Sequence, residues 1–249
     1  MARESIRGKT ALVTGAAVRI GREIALALAA EGANVIVHYR SSAVEAENLA
    51  RELREHGVQA WTVQADFAKQ EEYESLIPRA LHTAGALDIL VNSASIFPTD
   101  KLEDLTFASL MTNCEINAWA PFYFCRAFKQ LVGTGKIINL LDSRLTGYDW
   151  NHVGYILSKH VLAAMTQMIA LDYAPEITVN AVAPGLILPP PGKPESYLDA
   201  LVDTVPLKKH GEPDEVADAA IYLLTSPFCT GQIIYVDGGR HLKEYQKKY

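Results

Sequence analysis

From Lys9 onward the chain alternates short β-branched, apolar runs with stretches of helical periodicity. Few folds accommodate that rhythm, because a strand that is followed by a helix and then another strand builds a parallel sheet with helices packed on its faces. "TALVTG" reads as the first strand. "GREIALALAAEG" reads as the helix behind it, with Ile24, Leu26, Leu28 and Ala29 on its inner face and Gly32 as its stop. "NVIVHY", "QAWTVQAD", "LDILVNSAS", "GKIINLLD", "ITVNAVAPG" and "QIIYVDGG" supply further strands. Helical patterns fall in "EAENLARELREHG", in the segment holding "NCEINAWAPFYFCRAF", from about Gly154 to Tyr173, and in "DEVADAAIYLLTS". The expectation is an α/β chain with a doubly wound parallel sheet of about seven strands flanked by helices, residues 1–249 forming a single domain. "LILPPPGKPESYLDALVDTVPLKKHGEP" has no sustained period and reads as a substrate lid.

Charge narrows the functions open to such a chain. A formal net charge of -6 argues against a nucleic-acid surface, and the tail "KEYQKKY" is too short a basic run to reverse this. Cys114, Cys125 and Cys229 lack metal-ligand spacing and read as reduced thiols of a cytoplasmic protein. His56 and His82 read as solvated, so no metal site is expected. "MARESIRGK" has no apolar centre and no apolar run reaches membrane-spanning length, so neither an export signal nor an anchor is expected.

Function enters at "TGAAVRIG", residues 14–21. A strand ending in Thr14-Gly15, with Ile20 in the turn and a helix opening after Gly21, is the context in which a glycine turn binds phosphate: Gly15 permits the tight turn, Gly21 the close helix approach, and the helix start offers free backbone amides to a pyrophosphate. Arg19 is the oddity, a bulky cation inside that turn. A second pattern is Tyr155 and Lys159, spaced i,i+4 on one helical face. An adjacent ammonium favours phenolate and is expected to bring the tyrosine toward working pH, fitting it to transfer a proton.

These residues resemble the short-chain dehydrogenase/reductases, a Rossmann-type family, over nearly the whole chain. The family turn usually reads TGxxxGxG. Arg19 in place of its middle glycine, together with "HYRSS", "SASIFPT" and Asp142, is similar to the pteridine reductase and dihydromonapterin reductase branch. The resemblance implies that Arg19 reaches cofactor phosphate and the substrate's edge, that Asp66 and Phe67 lie near the adenine, and that Asn92, Ala94 and Ser95 form the loop the family writes NNAG. It implies further that Pro184, Gly185 and Ile187 turn beside the nicotinamide, that Lys159 holds its ribose, and that Asn117 maintains a proton-relay water. A homotetramer packed through helices around residues 102–131 and 154–173 is also implied.

The choice of cofactor follows from the end of the second strand. NAD enzymes carry an acidic residue there, roughly 20 residues after the glycines, for the ribose 2′-hydroxyl. Here "VHYRSS" offers His38, Arg40, Ser41 and Ser42, suited to a 2′-phosphate, and NADPH is expected.

Asp142 stands where most of the family has a serine that polarises a ketone. A carboxylate there repels a developing alkoxide. It suits a ring imine better, a carboxylic acid and Tyr155 cooperating to protonate nitrogen. Ser143 next door leaves a one-residue shift open. Phe97 resembles the branch's aromatic that stacks on a pterin, and Leu188 stands where the family often has threonine, an apolar pocket wall. The expected function is NADPH-dependent reduction of a C=N bond in a dihydropterin or dihydrofolate. The alternatives are a 3-oxoacyl-thioester or other carbonyl reductase and a non-catalytic NADPH-binding regulator.

Overall fold

The structure is a computed structural model that describes residues 3–190, 192–194 and 196–243. The tail beyond Lys243, and Pro191 and Glu195 in the expected lid, lie outside the described residues. Seven strands form one all-parallel sheet: β1 Thr10–Thr14, β2 Asn34–Tyr39, β3 Ala60–Gln64, β4 Ile89–Asn92, β5 Gly135–Leu140, β6 Ile177–Pro184 and β7 Ile233–Val236. Their order is β3-β2-β1-β4-β5-β6-β7. Ala11 pairs with Val35 on one side and Ile89 on the other, so the strand order reverses beside β1 and opens a crevice at the carboxyl ends of β1 and β4.

The helices are α1 Arg19–Ala30, α2 Ala43–Glu55, α3 Gln70–Glu74, α4 Leu76–Ala84, α5 Phe107–Cys114, α6 Ala120–Leu131, α7 Val153–Tyr173, α8 Ser196–Asp199, α9 Pro213–Thr225 and α10 Arg240–Lys243. Alternate residues of each buried strand serve opposite cores. Val13, Val35, Val37, Ile89 and Val91 pack with Ile24 and Leu28 of α1 and with α9. Leu12, Ile36, Leu90, Ile137 and Val179 pack with Leu76, Phe124 and Phe128. Burying a side chain such as Ile24 or Leu28 stabilises the fold by about 2 kcal/mol.

Three details depart from the sequence reading. Leu26 is half-buried at the edge of the α1 face, and Ala25 takes the inner position. β4 stops at Asn92, because the next amides, Ser93 and Ala94, turn to donate to Thr14 Oγ1 at 3.0 and 3.1 Å instead of continuing the ladder. The expected lid contains regular elements: α8 and a 3₁₀ turn at Val202–Thr204 bury Leu186, Leu198 and Val205 against one another. Helices that short leave no readable period. Among the described residues no helix is long and apolar enough to cross a membrane.

Candidate active site

The glycine turn is built by exclusion of side-chain volume. Gly15 has φ +64°, and a Cβ on it would lie 2.9 Å from Ala94 Cα; a Cβ on Gly21 would lie 2.3 Å from the Gly15 carbonyl oxygen. The α1 N-terminus is thereby drawn onto the end of β1, its first amides open to the crevice. Arg19 occupies the left-handed region too, with φ 61°. Its Nη2 donates to the Pro189 carbonyl at 2.8 Å, so the cation clasps the loop after β6 across the cleft.

At the end of β2, Arg40 is exposed and forms no ion pair among the described residues, and Ser42 begins α2 without spending its hydroxyl on a cap. Both line the crevice with Ser41. His38 differs from the sequence reading. Residues 36 and 38 share a face, so the ring turns into the core beside Ile36, 2% exposed and stacked on Phe67 with centroids 4.6 Å apart. Its Nδ1 accepts the Gly15 N–H at 3.0 Å, which fixes the proton on Nε2, and Nε2 donates to the Ala65 carbonyl at 3.0 Å. Burial lowers its pKa to about 4. A neutral ring with both nitrogens engaged is a tether for the turn and not a phosphate ligand.

Two expected polar residues, Asn92 and Asn117, do not line the crevice. Asn92, the last residue of β4, sits behind it and donates from Nδ2 to Asn139 Oδ1 at 2.8 Å; Asn139 donates to Thr166. Asn117 is fully buried in a π turn, Glu115–Trp119, that joins α5 to α6. Its Oδ1 accepts the Ile96 N–H at 2.8 Å, and its Nδ2 donates to the Ile96 carbonyl at 3.1 Å and to Ser158 Oγ at 3.1 Å. It clamps the loop after β4 to α7, its amide committed to protein partners.

The remaining residues converge. Tyr155 and Lys159 project from α7 into the crevice beside Asp142, which follows β5. The Tyr155 hydroxyl donates to Asp142 Oδ2 at 3.0 Å, and Lys159 Nζ donates to the Leu140 carbonyl at 2.7 Å. Arg144 donates to Asp142 from Nε at 2.9 Å and from Nη2 at 2.7 Å, and reaches Asp149 with Nη1. Asp149 also meets His152 Nδ1 at 2.8 Å.

This network reverses two expectations. Burial pushes the Asp142 carboxyl up, but the Arg144 charge and hydrogen bonds outweigh it and hold Asp142 below the usual carboxylate range. It is ionised, not a carboxylic acid ready to donate. Burial and the Asp142 charge, only partly opposed by Arg144, raise Tyr155 well above an ordinary phenol. Burial lowers Lys159 to about 8 against the opposing pull of Asp142. Tyr155 is thus held protonated by burial and a carboxylate rather than drawn down by the lysine. Ser143 is buried, its hydroxyl without a hydrogen-bond partner among the described residues, and it is Asp142 and not Ser143 that lines the cleft.

Phe97 closes this end. His152 stacks on its ring at 3.8 Å and Tyr155 meets it edge-on at 4.6 Å. One face is therefore covered by protein, which the expected pterin stack did not include.

The lined volume is about 760 Å³ and runs from Arg40, Ser41, Asp66 and Phe67 past Gly15, Ala94 and Ser95 to Asp142, Tyr155 and Lys159, with Pro184, Gly185, Ile187 and Leu188 as a wall. A cleft of that size and length, with a narrow glycine cradle at its middle and cationic and hydroxyl side chains at one end, fits an extended dinucleotide. Among the described residues no cluster of His, Cys, Asp or Glu is placed to hold a metal ion. Sequence reasoning missed Arg144, Asp149, His152 and the Thr14 hydroxyl. The visible signal for Arg144 was an opposite charge two residues from Asp142 within the apolar "LLDSRL".

Comparison with known proteins agrees with this geometry. The family model described as enoyl-(acyl carrier protein) reductase matches residues 15–241. A 3-oxoacyl-[acyl-carrier-protein] reductase FabG from Staphylococcus epidermidis is 33% identical over 242 residues, covering 94% of this chain and 99% of that one. Two solved structures of FolM alternative dihydrofolate reductase 1 superpose closely. That from Brucella suis in complex with NADP has TM-score 0.91, 30% identity and 98% of each chain covered; that from Brucella canis, complexed with NADP, has 0.88, 31% and 96% of each.

Proposed function

The chain belongs to the short-chain dehydrogenase/reductase family of NAD(P)-dependent oxidoreductases, and from that premise we propose that it is an NADPH-dependent reductase acting on a C=N bond of a dihydropterin or dihydrofolate. One observation carries the choice of substrate: the group beside Tyr155 is the ionised carboxylate of Asp142, fixed by Arg144. A carbonyl becoming an alkoxide meets repulsion there. A heterocycle that presents N–H groups meets an acceptor.

In this reading Arg40, Ser41 and Ser42 take the 2′-phosphate by charge-assisted hydrogen bonds, and the turn from Gly15 to Gly21 takes the pyrophosphate on backbone amides. Asp66 and Phe67 border the adenine, Ala94 and Ser95 border the dinucleotide's middle, and Pro184, Gly185 and Ile187 border the nicotinamide. When bound, NADPH supplies the hydride. Tyr155, protonated across the neutral range, supplies the proton to the reduced ring nitrogen. Lys159 orients the nicotinamide ribose. Phe97 and Leu188 bound the substrate space, and water is excluded by the loop that Arg19 clasps through Pro189. NADPH is favoured over NADH by the absence of an acidic residue at the end of β2.

The 33% identity to FabG favours a second reading, reduction of a 3-oxoacyl thioester on the same scaffold. NADPH oxidation measured side by side with a dihydropterin and an acetoacetyl thioester separates them. Turnover of the thioester alone overturns the pterin reading.

The protein acts as a homotetramer in the cytoplasm under this proposal. α7 is apolar on its outer side as well as its inner one: Leu157, Val161, Met168 and Leu171 are 40%, 40%, 69% and 84% exposed, next to Phe107 and Met111 of α5. Sedimentation at equilibrium tests it, and a monomer removes it.

A further inference from the structure

Every acceptor position of the Asp142 carboxylate is taken. Oδ1 receives the Arg144 backbone N–H and the Arg144 Nε, both at 2.9 Å; Oδ2 receives Arg144 Nη2 at 2.7 Å and the Tyr155 hydroxyl at 3.0 Å. An ionised carboxylate offers about four lone-pair sites, so neither oxygen has room for a proton of its own. Three of the four contacts come from Arg144, which sits two residues along in a 3₁₀ turn, Ser143–Thr146, and is braced from its far side by Asp149. Asp149 in turn accepts the Asn151 N–H at 2.9 Å and meets His152 Nδ1, so the brace is itself held.

We propose that Arg144 is a positioning residue: it fills one side of Asp142, leaves the fourth acceptor position to the Tyr155 hydroxyl, and so makes residue 142 a permanent acceptor rather than an acid. The Arg144 contacts are short-range along the chain and remain when a ligand enters. The Tyr155 hydroxyl is the partner free to leave. When it turns toward a substrate it uncovers one lone pair of Oδ2, and an N–H donor on the substrate can take its place. That last consequence rests on the reductase reading above; the charge state of residue 142 does not.

The groups that bear on this carboxylate are Arg144 and Asp149 from the turn and loop after β5, His152 before α7, and Tyr155 and Lys159 on α7. Lys159 spends a proton on the Leu140 carbonyl and does not bond Asp142. Taking Arg144 away therefore leaves a buried carboxylate whose nearest cation is engaged elsewhere, and such a group takes up a proton at higher pH.

Infrared pH-difference spectra of the whole protein between about pH 7 and pH 5 read this directly, because a desolvated carboxyl freed of its cation titrates in that range. The wild type is expected to show no protonated-carboxyl band from residue 142. Arg144→Gln gains one, the double change Arg144→Gln with Asp142→Asn loses it, and Arg144→Lys, which restores the charge without the fork, shows it only at the acid end. Where the glutamine variant does not fold, the lysine variant decides by that acid-end band. A band in the wild type removable by Asp142→Asn, no band in the Arg144 variants, or a band that survives Asp142→Asn overturns the proposal. With whichever substrate is reduced, kcat/KM of the Arg144→Gln enzyme is expected to gain a pH transition in this window that the wild type lacks. If neither the dihydropterin nor the thioester is turned over, the functional reading falls while the infrared result still decides the role of Arg144.

Discussion

The Tyr155 hydroxyl donates to Asp142 Oδ2 across 3.0 Å, while the lysine one turn further along the same helix bonds the Leu140 carbonyl instead. Burial and the neighbouring negative charge therefore set the pKa of this phenol and raise it. The ultraviolet difference between wild type and Tyr155→Phe isolates its ionisation. The phenolate is expected only at pH above the ordinary phenol range, and Asp142→Asn is expected to move it downward by removing the charge that raises it. In turnover Tyr155→Phe should cost about 10²- to 10⁴-fold in kcat, the usual worth of a positioned proton donor, with NADPH affinity little changed. An unaltered kcat would take the proton-donor role away from this residue.

The sheet was legible in the sequence because strand parity and helical period repeat over many residues, and the glycine cradle because only glycine fits where a Cβ would strike Ala94 or the Gly15 carbonyl. What stayed hidden depends on single side-chain directions at strand ends. His38 shares parity with Ile36 and Asn92 with Leu90, so both turn inward: His38 stacks on Phe67 in the wall of the crevice, and Asn92 bonds Asn139 behind it. Parity, carried one residue further, would have placed them. Asn117 needed a π turn that no simple period announces. The charge state of Asp142 needed Arg144, and a buried ion pair is invisible until both partners are seen to be enclosed.

Arg40 is exposed at the mouth of the crevice and has no ion pair among the described residues, so its charge is free for a phosphate. Arg40→Asp replaces a charge-assisted hydrogen bond with repulsion. A loss of about 2 to 3 kcal/mol corresponds to roughly 30- to 150-fold weaker NADPH binding, with NADH affected far less because it lacks the 2′-phosphate. Fluorescence titration of both nucleotides checks this. Equal losses for the two would show that the residue supports the loop and does not read the phosphate.

Gly21→Ala tests the cradle. The added methyl would stand 2.3 Å from the Gly15 carbonyl oxygen, a backbone atom that cannot swing aside, so the α1 N-terminus must retreat from the turn. The expected cost is about 1 to 3 kcal/mol of stability, as for other overpacked contacts. Dinucleotide affinity should fall with it, because the amides at the helix start move away from the proposed pyrophosphate site. Thermal melts with and without NADPH separate the two effects: the variant's melting temperature should be lower and should gain less from the nucleotide. A full gain would mean that the turn tolerates a side chain there.

His38 links the same turn to pH. The Gly15 N–H can only donate, so Nδ1 must accept, and a protonated imidazole would set two donors face to face at 3.0 Å. Burial keeps the ring neutral down to about pH 4 in the folded protein, whereas in the unfolded chain it titrates near 6.5. Above pH 6.5 neither state carries the extra proton and stability is unaffected by this group. As pH falls below 6.5 the unfolded state takes up a proton that the native state refuses, and stability is lost until the folded ring titrates. The window of about 2.5 pH units corresponds to roughly 3 kcal/mol in all, of which roughly 2 kcal/mol should be gone at pH 5. Urea unfolding at pH 7 and pH 5 measures the loss. His38→Asn keeps an acceptor near the Nδ1 position and cannot be protonated, so its stability should fall less over the same interval. An equal fall in the variant would assign the acid sensitivity to other groups and leave the His38 ring as packing alone.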